Sequence, residues 1–144
     1  MSELTLAAAQ TIITAGLAEA RAKKMKPLGI AVLDARGALK AFGAEDGTSL
    51  ERAAIAEGKA YGALAMGLGS RTLGKMAVER PHFVAAATQA VGALIPVAGG
   101  VLVKNAAGTV VGAVGVSGDT SDNDEAAALA GIAAAKLMGD GGAG

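Results

Sequence analysis

The chain's 144 residues (13.9 kDa) fit one domain with a buried core and are too few for two. Thirteen basic residues balance thirteen acidic ones, so no polyanion-binding face is marked and nucleic acid is not an expected partner. With no cysteine and a single histidine, His82, the sequence excludes disulfides, thiolate metal centres, a cysteine nucleophile and a histidine-rich metal site.

Met1 to Thr5 carry no basic n-region or apolar h-region of a secretory signal, and no stretch approaches the roughly 20 apolar residues of a membrane span. A cytoplasmic protein without a membrane partner is expected. Residues 5–24 place Leu6, Ala9, Ile13, Gly16, Leu17 and Ala20 at three-and-four spacing, which predicts an amphipathic helix ended by Pro27. Residues 29–34 predict a buried strand, Ala35-Arg36-Gly37 a turn, and residues 38–42 the returning strand of a hairpin. Thr48 followed by Glu51 has the spacing of a capping box and predicts a helix over 49–66, stopped by Gly67-Leu68-Gly69. Ser70 is expected to cap a short helix over 71–78, and Pro81 to open another over 82–90.

Pro96 to Gly100 form a loop whose glycines permit close approach. A second hairpin joins 101–104 to 109–117 through Asn105-Ala106-Ala107-Gly108. Its second strand carries Gly112 and Gly115 on opposite faces, a sign that another backbone or a ligand lies close. An acidic turn after Gly118 leads into an alanine-rich helix over 123–138, with Asp122 as N-cap and Glu125 three residues on. Residues 139–144 are expected to fray as a flexible tail, leaving one domain over 1–138. Tight hairpins separated by helices predict an α+β layer fold around a mainly antiparallel sheet.

Three segments go beyond composition: GIAVLDARGALKAF, the Gly99-Gly100 pair before a strand, and VGAVGVSGDTSDNDEAAALAGIAA. Together they resemble the GlcG/HbpS family of haem-degrading-domain-like proteins, related to the C-terminal domain of some corrinoid adenosyltransferases. The resemblance runs from the first helix to about Ala135 and is most specific from Gly112 to Glu125, a GVSG turn followed by an Asp-Glu pair. It implies a profilin-like α+β fold, a central antiparallel sheet with helices packed on both faces, self-association, and haem or a related tetrapyrrole as ligand. The sequence departs from the family in two places. The family's Phe-x-Arg-Met-Asp-Gly is here Phe42-Gly43-Ala44-Glu45-Asp46-Gly47, so the cation for an anionic ligand is expected from Lys59 or Arg71. The first helix has no histidine, which leaves His82 as the candidate haem iron ligand. Met25, Met66, Met76 and Met138 are expected to fill the core.

The glycine spacing matches neither a Walker nor a Rossmann fingerprint. Backbone amides at Gly99, Gly100, Gly115, Val116, Ser117 and Gly118 are candidates to cradle a carboxylate, with Lys59 or Arg71 supplying charge if either faces that strand. Ser117 lacks the final glycine of a nucleophile elbow and is expected to bond free backbone groups. Asp119, Asp122, Asp124 and Glu125 do not match a calcium loop, and helix capping is their first reading. The leading function is small-molecule binding in a pocket between the C-terminal hairpin and the middle helices. The alternative is a cofactor-independent enzyme acting on a small oxygenated or carboxylated metabolite, with His82, Asp124 or Glu125 moving the proton. A third reading is a structural or regulatory oligomeric subunit that associates through alanine-rich helix faces.

Overall fold

The computed structural model describes residues 3–144; Met1 and Ser2, the first two positions of the expected domain, lie outside the described residues. Thr5 caps α1 (Leu6–Ala22), its hydroxyl oxygen accepting the Ala8 N–H at 3.0 Å. The helix stops before Pro27 can act, because Lys24 takes a left-handed φ of 56° and Met25 bonds back to the Ala20 carbonyl. β1 (Gly29–Asp34) and β2 (Leu39–Ala44) form the first hairpin, turning through Gly37 at φ 89°. Then follow α2 (Arg52–Met66), α3 (Ser70–Glu79), α4 (Pro81–Val91), β3 (Gly100–Lys104), β4 (Val110–Ser117), α5 (Ser121–Ala134) and β5 (Met138–Asp140). All neighbouring strands pair antiparallel, in the order β2-β1-β4-β3-β5. With helices on both faces of that sheet, the molecule has the expected α+β architecture.

The two faces are built from residues of different size. On one, α1 and α5 bring Ile12, Ala127 and Ile132 onto the β-branched floor of Ile30, Val32, Val101, Val114 and Val116. On the other, α2 lays Ala60 and Ala63 on Leu33, Leu102 and Ala113. There Ala31, Gly115 and Gly100 stand abreast on β1, β4 and β3. A Cβ on Gly115 would overlap the Ala56 carbonyl oxygen, and one on Gly100 would overlap the Lys59 carbonyl oxygen. The missing side chains therefore let the α2 backbone lie directly on the sheet. On the opposite face, Gly112 is closed over by Leu4 and by the neighbouring Leu33 carbonyl. The glycine strand is thus filled by the protein's own backbone, and the room expected there for a ligand is absent. An outer layer forms where α3 and α4 pack around Leu73, Val84 and Leu94.

Several local expectations give way to tertiary contacts. Thr48 and Glu51 make no capping box: the Thr48 hydroxyl donates to the Glu45 carbonyl, and Glu51 precedes α2 without a side-chain cap. Gly69, not Ser70, is the N-cap of α3, and the Ser70 hydroxyl oxygen accepts the Gly100 N–H at 2.6 Å. Thr120 caps α5, its oxygen accepting from Asn123 at 3.2 Å, which displaces Asp122 from that role. Ile12 rather than Ile13 is the buried isoleucine of α1, and Leu6 is 51% exposed. Met25 is buried and Met66 and Met76 pack on the outer cluster, whereas Met138 is exposed. The glycine-rich end does not fray. Residues 138–140 add β5 beside β3, and Ala143 exchanges hydrogen bonds with Thr72 at 2.8 and 3.1 Å.

Candidate functional site

Where β4 ends, Gly118 turns the chain at φ 150° toward α5. Asp119 fastens this turn by accepting from the Lys26 and Thr120 backbone N–H groups and the Asn123 amide, each at 2.7 Å. Those donors, the Lys26 N–H foremost, hold its carboxyl down at about 2. The first turn of α5 is thereby fixed at the end of the sheet.

Lys59 reaches the same place from α2, on the other face. A Cβ on Gly99 would lie 2.8 Å from the Lys59 Nζ and 3.1 Å from its Cδ, so the glycine makes way for the lysine stem. The ammonium donates to the Val116 carbonyl at 2.9 Å and to Asp124 Oδ2 at 3.0 Å, while Asp124 Oδ1 accepts the Asp119 N–H at 2.9 Å. Both residues are buried, at 2% and 1% exposure. Burial pushes the lysine pKa down and the aspartate pKa up, and each partner's charge opposes the shift of the other. Lys59 does face the glycine strand, but Asp124 already holds its charge. The pair links the helix layers on the two faces of the sheet.

Two further cations flank this pair. Arg71 of α3 places Nε and Nη2 at 3.0 and 2.7 Å from Glu125 Oε2, with Nη2 also 2.5 Å from Asp122. These carboxylates raise the guanidinium pKa further above its ordinary value. On the other side, Arg52 Nη1 donates to the buried Ser117 hydroxyl oxygen at 3.0 Å. Ala44, Gly29 and Ser117 stand abreast on β2, β1 and β4. The guanidinium at the row containing Ala44 is thus supplied by Arg52, a residue that sequence reasoning passed over in favour of Lys59 and Arg71. Its only signal was a cation at the start of an alanine-rich helix.

A groove of about 830 Å³ opens between α3, the Pro96–Ala98 loop and the start of α5. Gly74, Ala77, Val78, Pro96 and Val97 give it an apolar wall, and Arg71, Lys75, Glu79 and Asp122 give it charge. It lies one layer outside the site expected between the hairpin and the middle helices. Among the residues proposed from sequence as ligand-binding or catalytic, only Arg71 lines it. His82 is exposed in the first turn of α4, a helix anchored mainly to α3. The structure does not assemble His82, Asp124 and Glu125 as an acid/base group, because Asp124 is held by Lys59 and Glu125 by Arg71. Among the described residues no group of three or more His, Asp or Glu could hold a metal ion, and no helix is long and apolar enough to cross a membrane.

A family model described as "Haem degrading protein HbpS-like" matches residues 4–133. This chain belongs to the HbpS-like family. Among solved structures, HbpS is 28% identical, with a TM-score of 0.80, covering 92% of this chain and 90% of that one. Protein ORFY of Klebsiella pneumoniae is 24% identical, with a TM-score of 0.82 and coverages of 94% and 93%. A PduOC:haem complex is 21% identical, with a TM-score of 0.84 and coverages of 94% and 97%, a likeness of fold. No curated protein matches the sequence.

Proposed function

We propose that this protein binds a flat, carboxylate-bearing small molecule of the tetrapyrrole class, haem first, in the groove beside α3. The observation that carries this reading is the groove itself, whose volume of about 830 Å³ falls in the range of small-molecule pockets, about 300–1,000 Å³. Family membership and the haem held by the structurally similar PduOC supply the ligand class.

The groove residues fit the organic part of haem. Val78, Pro96 and Val97 offer apolar contact to a ring face, and Lys75, which makes no ion pair among the described residues, offers an ammonium to a propionate. No His, Met or Tyr lines the groove, so its own side chains include none of the usual iron ligands. His82 as iron ligand therefore has no support from this geometry. When bound, haem supplies iron-centred redox chemistry of its own. The chain's part is to hold the macrocycle, keep water from one of its faces, and fix the propionates.

Haemin titration tests this. The wild-type protein should give a saturable Soret change at micromolar haemin. Val97→Asp should abolish it, Lys75→Gln should weaken it several-fold, and His82→Ala should leave it unchanged. No saturable change, or wild-type binding by Val97→Asp, would reject the groove as the site; loss of binding in His82→Ala would move the site to α4. We also propose that the protein is a cytoplasmic homo-oligomer; light scattering tests the self-association.

A further inference from the structure

Ala56, Ala60 and Ala63 take the sheet-facing side of α2. Ala54, Glu57, Gly58 and Tyr61 follow at three-and-four spacing on the opposite side, where with Val91 and Ala93 they line a cleft of about 430 Å³. Two glycines of α2 bring the end of α4 to this place. A Cβ on Gly58 would lie 2.5 Å from Ile95 Cγ1, and one on Gly62 would lie 3.2 Å from the Leu94 backbone. Without those methyl groups the segment after α4 seats directly on α2. The hairpin turn holds the Tyr61 ring, whose Cε2 atom lies 2.9 Å from where a Gly37 Cβ would be. The ring is thereby fixed in orientation while staying 39% exposed.

The lining is electronegative and contains no cation. Glu57 makes no ion pair among the described residues. α4 ends at Val91, with Gly92 at φ 93° and no basic residue in its last turn. The Gly92 N–H takes the Thr88 carbonyl, but no hydrogen bond among the described residues reaches the carbonyls of Gln89, Ala90 and Val91. Aligned peptide dipoles give such a helix end a partial negative charge. An aromatic face likewise attracts an ammonium group. Arg36 lines a separate hollow that shares Tyr61, and its charge is held by Asp34 at 3.2 Å. A carboxylate, a ring face and the carbonyl end of a helix thus meet around one cleft with small apolar walls.

We propose that this cleft binds a small primary alkylammonium ion. Its three N–H donors suit the Glu57 carboxylate and the terminal carbonyls of α4, and Tyr61, Ala54, Val91 and Ala93 cover its apolar chain. None of these residues lines the groove beside α3, so this site stands or falls separately from the haemin titration.

Tyr61 is the chain's single tyrosine and there is no tryptophan, so tyrosine fluorescence of the intact protein reports on this cleft alone. The test is a fluorescence titration with butylammonium and with tetramethylammonium chloride at neutral pH, the ionic strength held constant with sodium chloride. Butylammonium should give a saturable change. Tetramethylammonium, which has no N–H to donate, should bind about threefold or more weakly. Glu57→Gln should weaken butylammonium about threefold or more, the scale of an exposed charge pair. Ala93→Lys places a competing cation at an exposed position of the cleft and should abolish binding. Glu19→Gln, on α1 across the sheet, should bind as wild type. A change that rises linearly without saturating, tetramethylammonium binding as tightly as butylammonium, or undiminished binding in Glu57→Gln or Ala93→Lys would overturn the proposal.

Discussion

Removing one member of the Lys59–Asp124 pair should cost far more than removing both charges together. The side chains are 3% and 2% exposed and lie 3.0 Å apart. An uncompensated charge at such depth destabilises by about 3–5 kcal/mol. For a chain of this size about 3 °C of melting temperature is lost per kcal/mol, so Lys59→Met should melt about 9–15 °C lower. The double variant Lys59→Met/Asp124→Asn removes both charges, while the asparagine oxygen still accepts the Asp119 N–H. It should lie within about 2 kcal/mol of wild type, which with single costs of about 3–5 kcal/mol each makes the coupling between the two sites about 4 kcal/mol or more. Urea denaturation at fixed protomer concentration measures all four corners of the cycle. Single effects that add within about 0.5 kcal/mol, or a Lys59→Met cost below about 1 kcal/mol, would refute the inference that this pair is one buried, mutually dependent unit.

Other perturbations separate the remaining contacts. Gly115→Ala places a methyl group on the Ala56 carbonyl of α2 and should destabilise by about 3 kcal/mol or prevent folding; stability near wild type in a thermal melt would disprove the direct seating of α2 on the sheet. Glu125→Gln, at a half-buried bond to Arg71, should cost about 1–2 kcal/mol, whereas Asp122→Asn, whose side chain is 79% exposed, should cost at most about 0.5 kcal/mol; urea midpoints in the reverse order would contradict the geometry. Asp119 has its pKa lowered from 3.8 to about 2, so its contribution is complete above pH 3.8 and is lost as pH falls through about 2. Asp119→Asn should flatten that acid limb of the melting curve, and an unchanged limb would count against the Asp119 bonds.

Sequence pattern revealed what local spacing controls. The bounds of β1 follow from an apolar run between a proline and a turn, and Gly67 ends α2 in a left-handed conformation at φ 68°, as a glycine stop requires. Both hairpins and the mainly antiparallel sheet follow from the same signals, whereas helices on both faces were what the family resemblance implied. What was hidden depends on partners far along the chain. A lysine in an alanine-rich helix is ordinarily solvated, and only Asp124, 65 residues away, makes Lys59 a buried residue. Glycines at 100, 112 and 115 announced close approach, but pattern alone cannot distinguish a ligand from a helix backbone, and the structure supplies the helix at 100 and 115. The Thr48/Glu51 spacing is equally ambiguous, since Thr48 turns back to the Glu45 carbonyl instead. β5 escaped notice because three residues of Met138–Asp140 are too few for alternation to register.

The groove beside α3 is tested most directly by mapping where a tetrapyrrole lands. Adding one equivalent of haemin to ¹⁵N-labelled protein should broaden the backbone signals of Gly74, Lys75, Val78, Val97 and Ala98, which line that groove. Broadening centred instead on His82, or on the smaller cleft lined by Tyr61, Val91 and Ala93, would contradict the account, as would an unperturbed spectrum.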